Sequence, residues 1–178
     1  ATLLARLGRR AAWHSALPEN PLGRLVTDHL HKAGVNSDGV IWQQGRIGTY
    51  YVEFAAPPRA IQVIYDRADS CVTHVTPNLI RWDQLLDTRL VHLTGITPPL
   101  SQSCGEVVKA IIERARAGGI AVSFDVNYRA KLWTEAAARD WLTPVVQGVD
   151  LLFCNQADAR RIFGIDAAPE QAIRLLAE

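Results

Sequence analysis

Apolar residues change their spacing several times along the chain, and each change marks an element. Leu22, Leu25, Val26, His29 and Leu30 recur at helical intervals behind Pro21, a residue suited to a helix start, and Gly34 ends the run. Before it, Ala1 to Gly8 predicts a helix that stops at its glycine, and Arg10 to Leu17 predicts a short strand. Between Gly39 and Val75 the period falls to two, with β-formers in Val40-Ile41-Trp42, Thr49 to Phe54 and Ala60 to Tyr65. Gly45, Gly48 and the pair Pro57-Pro58 separate these runs, so the pattern predicts consecutive short antiparallel strands. Strand and helix then alternate again. Strands are predicted at Leu90 to Leu93, Ile120 to Phe124 and Val149 to Cys154. Helices are predicted at Ser101 to Ala117, from a Thr134 cap to about Gln147, at Gln156 to Phe163 and at Gln171 to Glu178. Such alternation implies a parallel α/β sheet with right-handed crossovers, and the inserted antiparallel region suits a lid or a contact between copies.

Composition keeps this within the range of an ordinary folded protein: of 178 residues, 48% are apolar and 21% charged. The formal net charge is +1 and the basic residues are scattered rather than striped, which leaves no electrostatic footprint for nucleic acid. Cys71, Cys104 and Cys154 are an odd number without CxxC spacing, against a disulfide framework or zinc site and in favour of a reducing cytoplasm. No apolar run approaches the roughly 20 residues of a membrane helix, and the start lacks the order of a signal peptide. A soluble cytoplasmic protein with no membrane partner is expected. The sequence has no methionine, opens inside a predicted helix and closes in another, so both ends are expected to be cut.

Candidate chemistry concentrates where predicted strands end. Asp125-Val126-Asn127-Tyr128-Arg129 follows a buried apolar run, and ligands of open α/β sheets sit off the carboxyl ends of the strands. Arg129 could grip a substrate carboxylate in a bidentate pair, or simply pair with Asp125 or a helix C-terminus; Asp125 and Asn127 suit loop-shaping hydrogen bonds. Tyr65 and Arg67 lie two apart and would share one face of a strand, where a ring and a guanidinium suit a small polyhydroxy acid as well as an exposed cross-strand pair. Thr94-Gly95-Ile96-Thr97-Pro98 could bring a backbone close to a ligand or be a plain turn. Asn155 ends another strand and could be a helix cap alone. His14, His29, His31, His74 and His92 show no metal-ligand spacing, so no metal site is expected from them. Ser101, Ser103 and Cys104 lack the Gly-x-Ser-x-Gly context of a hydrolase nucleophile.

The chain resembles the ribokinase/PfkB carbohydrate kinases, and among them those that phosphorylate 2-keto-3-deoxygluconate. The resemblance runs through Leu4 to Gly8, Asn20-Pro21-Leu22-Gly23-Arg24, Tyr65-Asp66-Arg67, Leu93 to Pro98, Asp125 to Arg129 and Leu152-Phe153-Cys154-Asn155. It implies a ribokinase-like three-layer fold, a parallel sheet with helices on both faces plus a small antiparallel β lid. The implied domains are a partial core at residues 1–38, a lid at 39–76 and an incomplete core at 77–178. It implies ATP and Mg2+ as cofactors and a small sugar acid as substrate, held by Tyr50, Tyr65, Arg67, Ile96 and Arg129, with Asn155 near the nucleotide. Tyr51, on the face opposite Tyr50, would serve packing or a homodimer or higher homo-oligomer formed through the lid. The family's catalytic Gly-Ala-Gly-Asp motif does not occur in this sequence, so no catalytic residue is expected within it. Pro18-Glu19-Asn20 also departs from the family's usual Gly-Asp-Asp. Two alternatives stay open: another PfkB sugar kinase, such as a fructokinase or 5-dehydro-2-deoxygluconokinase, and a non-catalytic sugar-binding module.

Overall fold

The chain reaches its first strand after a short helix, α1 (Thr2–Arg6). The computed structural model describes residues 1–56 and 58–177, in two compact units, Ala1–Leu85 and Leu86–Glu178. Pro57, half of the expected Pro57-Pro58 break, and Glu178, the expected end of the last helix, lie outside the described residues.

In the first unit, β1 (Ala16–Pro18) is buried along its length and turns directly into α2 (Pro21–Lys32). Asn20 caps that helix: its Oδ1 accepts from the backbone N–H of Leu22 at 3.0 Å and of Gly23 at 3.2 Å, while Pro21 fills a position that needs no N–H. Gly23 lets the first turn lie against the strand, because a Cβ there would stand 2.1 Å from the carbonyl oxygen of Pro18. The chain returns as β2 (Ile41–Gln43), which runs parallel to β1 with Ala16 opposite Ile41. This corrects the expectation that Val40-Ile41-Trp42 opens an antiparallel series. A period of two tells which residues share a face and nothing about direction, whereas the helix between β1 and β2 makes them a parallel crossover unit. The expected strand from Arg10 to Leu17 is also shorter. Ala12 bridges Asn36, but the partner turns at Ser37–Val40, and pairing resumes only at Ala16. β3 (Thr49–Glu53) and β4 (Gln62–Asp66) form the expected antiparallel pair, and α3 (Trp82–Leu85) ends the unit.

In the second unit, β5 (Leu90–Thr94), β6 (Ala121–Asp125) and β7 (Leu151–Phe153) form a parallel sheet with β6 in the middle. α4 (Gln102–Ala117) connects β5 to β6, α5 (Glu135–Val146) connects β6 to β7, and α6 (Gln156–Phe163) and α7 (Pro169–Ala177) follow. Ser101 and Thr134 cap α4 and α5 by accepting from the N–H of Cys104 at 3.1 Å and Ala137 at 3.2 Å. The core joins Val122 and Phe124 of β6 to Val108, Ile112 and Ala115 of α4, Ala138, Leu142 and Val145 of α5, and Ile162 of α6. Phe124, Leu142 and Ile162 are 0% exposed. Burying a side chain of that size contributes roughly 1.5–3 kcal/mol.

Candidate functional site

Three loops leave the carboxyl ends of β5, β6 and β7, the edge at which open α/β sheets hold their ligands. Main-chain hydrogen bonds lace them together: Gly95 N–H donates to the carbonyl of Asp125 at 2.7 Å, and Val126 N–H to that of Phe153 at 2.9 Å. A Cβ on Gly95 would stand 2.0 Å from the carbonyl oxygen of Val126, so the close approach admits glycine alone. Asn127 adopts φ +40° and donates from Nδ2 to Thr94 Oγ1 at 3.2 Å, the loop-shaping part expected of it. Tyr128 is buried; its N–H donates to Asp158 Oδ2 at 3.1 Å and its hydroxyl to the carbonyl of Trp133 at 3.1 Å.

Arg129 comes next and is exposed. Among the described residues its guanidinium has no ion pair, so the pairing with Asp125 that the sequence left open is not formed. Ile96 is half-buried in the turn after the neighbouring strand β5. Asn155, after β7, caps α6: its Oδ1 accepts from Asp158 N–H at 2.8 Å and its Nδ2 donates to Asp158 Oδ2 at 2.8 Å.

In the first unit, Tyr50 and Tyr65 stand directly opposite on β3 and β4, with ring centroids 6.3 Å apart. Arg67 lies just past β4, and its Cζ sits 4.1 Å over the centroid of the Tyr65 ring. The two-residue spacing does put both on one face, with the cation stacked on the ring. A guanidinium held this way keeps the N–H groups on its edge for an anion. Tyr51, paired with Ile64, presents the opposite face, and both side chains are exposed.

Two residues in these arrangements escape sequence reasoning. Arg46 clamps the end of β4 through a bidentate ion pair with Asp66 and a 2.7 Å hydrogen bond to the carbonyl of Ala68. Asp158 is buried at the start of α6 and binds Tyr128 from thirty positions away. The spacing Asn155-x-x-Asp158 is the signal that could have found Asp158, since it repeats the logic of a capping box. Arg46 had no local signal, its partner being twenty residues distant.

The thiols are not poised for chemistry. Burial pushes Cys71 and Cys104 up, and burial with the nearby carboxylates of Asp158 and Asp125 raises Cys154 to about 11, so each holds its proton at neutral pH. Among the described residues, no group of three or more His, Cys, Asp or Glu side chains is placed to hold a metal ion. No helix of the described residues is long and apolar enough to cross a membrane.

These features place the chain among the α/β proteins that present ligand-binding loops at the carboxyl edge of a parallel sheet. It belongs to the pfkB family of carbohydrate kinases, whose family model matches residues 1–178. It is 40% identical over 177 residues to a 2-dehydro-3-deoxygalactonokinase of Haloferax volcanii, covering 98% of this chain and 55% of the relative. A 2-dehydro-3-deoxygluconokinase of Thermoproteus tenax is 32% identical over 173 residues, covering 94% and 51%. Among solved structures, the 2-dehydro-3-deoxygluconokinase of Thermotoga maritima superimposes with a TM-score of 0.90 at 35% identity, covering 99% of this chain and 55% of that one. The chain spans about half the length of the curated relatives it matches. The α/β fold with a parallel sheet and a small antiparallel sheet is shared with these neighbours.

Proposed function

We propose that the chain is the acid-binding part of a sugar-acid kinase that transfers the γ-phosphate of ATP to the terminal hydroxyl of 2-keto-3-deoxygluconate, giving the 6-phosphate. Arg129 carries this reading. An exposed guanidinium with no ion pair among the described residues, on a loop fixed by hydrogen bonds to neighbouring elements, suits a carboxylate that arrives with the substrate. Arg67 on the ring of Tyr65, with Tyr50 opposite, suits the carbon face and charge of the same class of molecule, and Ile96 supplies a half-buried apolar contact beside a backbone turn. Asn155 is assigned to the nucleotide side by family resemblance, its side chain serving meanwhile as the cap of α6. ATP and Mg2+ are the expected cofactors.

The two named relatives act, by name, on acids of gluconate and galactonate configuration. The epimer is therefore the natural second substrate. We also propose a cytoplasmic enzyme that forms homodimers through the exposed hairpin face carrying Tyr51 and Ile64. A sedimentation experiment that finds only monomer at high concentration would overturn that assembly.

The test is a coupled phosphorylation assay of the full-length protein with ATP and Mg2+ on 2-keto-3-deoxygluconate, its galactonate epimer, 5-keto-2-deoxygluconate and fructose. Preference for either 3-deoxy-2-keto acid is expected. Preference for fructose would move the protein to the neutral-sugar kinases, and binding without turnover of any sugar would leave a non-catalytic module.

A further inference from the structure

We infer that Asp158 is a positioning residue for Arg129, fixing from α6 the loop that presents the guanidinium; this rests on the assignment of Arg129 to the acid. The Asp158 side chain is 6% exposed. A buried carboxylate is costly unless its lone pairs are met, and here Oδ2 takes two donors, the N–H of Tyr128 at 3.1 Å and Nδ2 of Asn155 at 2.8 Å. Capping of α6 does not explain this arrangement. Asn155 already satisfies the first-turn N–H of Asp158, and the Asp158 carboxylate accepts from a different loop, thirty positions back in the chain.

That loop is held where it matters. The ring of Tyr128 is buried, its hydroxyl donates to the carbonyl of Trp133, and its N–H is fixed by Asp158, so the residue immediately before Arg129 is anchored through both side chain and backbone. On the far side, the carbonyl of Arg129 accepts from Leu132 N–H at 2.8 Å. The backbone of Arg129 is thus secured on both sides while its side chain is left to reach a ligand. Without Asp158, the Tyr128 N–H would be a buried donor with no partner, and the loop would shift to rehydrate it. A displacement of about 1 Å is enough to weaken a bidentate grip severely.

The test measures KM for 2-keto-3-deoxygluconate in the full-length enzyme and in Asp158→Ala, Asp158→Asn, Arg129→Ala and the double variant Asp158→Ala with Arg129→Ala. Asp158→Ala is expected to raise KM about tenfold, the size of one lost hydrogen bond to a charged group. Asp158→Asn keeps an acceptor for Tyr128 N–H and should recover most of that loss, and it serves alone if the alanine variant does not fold by circular dichroism. In the Arg129→Ala background, Asp158→Ala should add less than about twofold, because the group it positions is gone. Independent, multiplying effects in the double variant, or an unchanged KM in both Asp158 variants while Arg129→Ala raises it, would overturn the positioning role and leave the acid assignment standing. An unchanged KM in Arg129→Ala would overturn the acid assignment, and this inference with it.

Discussion

The hairpin of β3 and β4 and the sheet of β5, β6 and β7 are both built from short β-strands, yet they stand at opposite extremes of burial. Phe124 and Val122 of β6 are fully buried, whereas Tyr50 and Ile64 of the hairpin are 64% and 59% exposed. The sheet is stabilised by helices packed on its apolar positions. The hairpin is held by its own ladder and by exposed or partly exposed contacts such as the tyrosine pair, Arg67 on Tyr65 and the Arg46 clamp on Asp66, and two strands alone are marginal in water. The difference matters for chemistry as well: Arg129 is presented by a loop pinned to buried elements, while Arg67 lies just past a solvent-exposed strand whose end is held by Arg46.

The contrast can be broken most easily through stability. Phe124→Ala should cost about 3–5 kcal/mol, while Ile64→Ala should change the stability of the monomer by no more than about 0.5 kcal/mol, both read from urea unfolding at concentrations low enough to keep the chain monomeric. Comparable losses would show that the hairpin is buried to a degree its exposure does not reveal. Gly95→Ala should cost about 1–3 kcal/mol and raise KM for the acid, since the new methyl meets the Val126 carbonyl and must part the β5 and β6 loops. A neutral result there would mean that the loops are not as tightly laced as their hydrogen bonds suggest.

Smaller effects sharpen the comparison. Arg46→Ala should change global stability by about 1 kcal/mol or less, because the ion pair with Asp66 is partly exposed, yet speed amide hydrogen exchange across Tyr50 to Tyr65 selectively. Uniform acceleration across the protein would contradict a local clamp.

The smallest effects are in pH dependence, and they differ in sign between the units. His14 titrates below its ordinary 6.5, first through burial and then through Arg81. Its contribution is therefore present above that value and lost as pH falls through the folded one, a slope that His14→Gln should flatten in urea titrations. Cys154 is raised to about 11, so its contribution is present below the unfolded thiol value and lost as pH rises toward 11. Alkylation of Cys154 at pH 8 should accordingly be slow.

Residues that act locally were legible in the sequence. Asn20 with Pro21, Ser101 and Thr134 mark helix starts by short-range hydrogen bonds, and α6 runs from Gln156 to Phe163 as the spacing predicts. The direction of β2 was not legible from alternation, because direction is set by the connection rather than the pleat. Likewise the motif around Arg129 was visible as polar residues after an apolar run, but the contacts that hold it, Asp158 on Tyr128 N–H and Asn127 on Thr94, span thirty positions or more. Such pairings are properties of the folded chain, and only their local half, the cap formed by Asn155 on Asp158, leaves a trace in spacing.

Calorimetric titration of the full-length protein and its Arg129→Ala variant with 2-keto-3-deoxygluconate asks most directly whether Arg129 grips the acid. Binding that weakens at least about tenfold in the variant is expected from the loss of a charge-assisted pair. Equal affinity in the two proteins would contradict it.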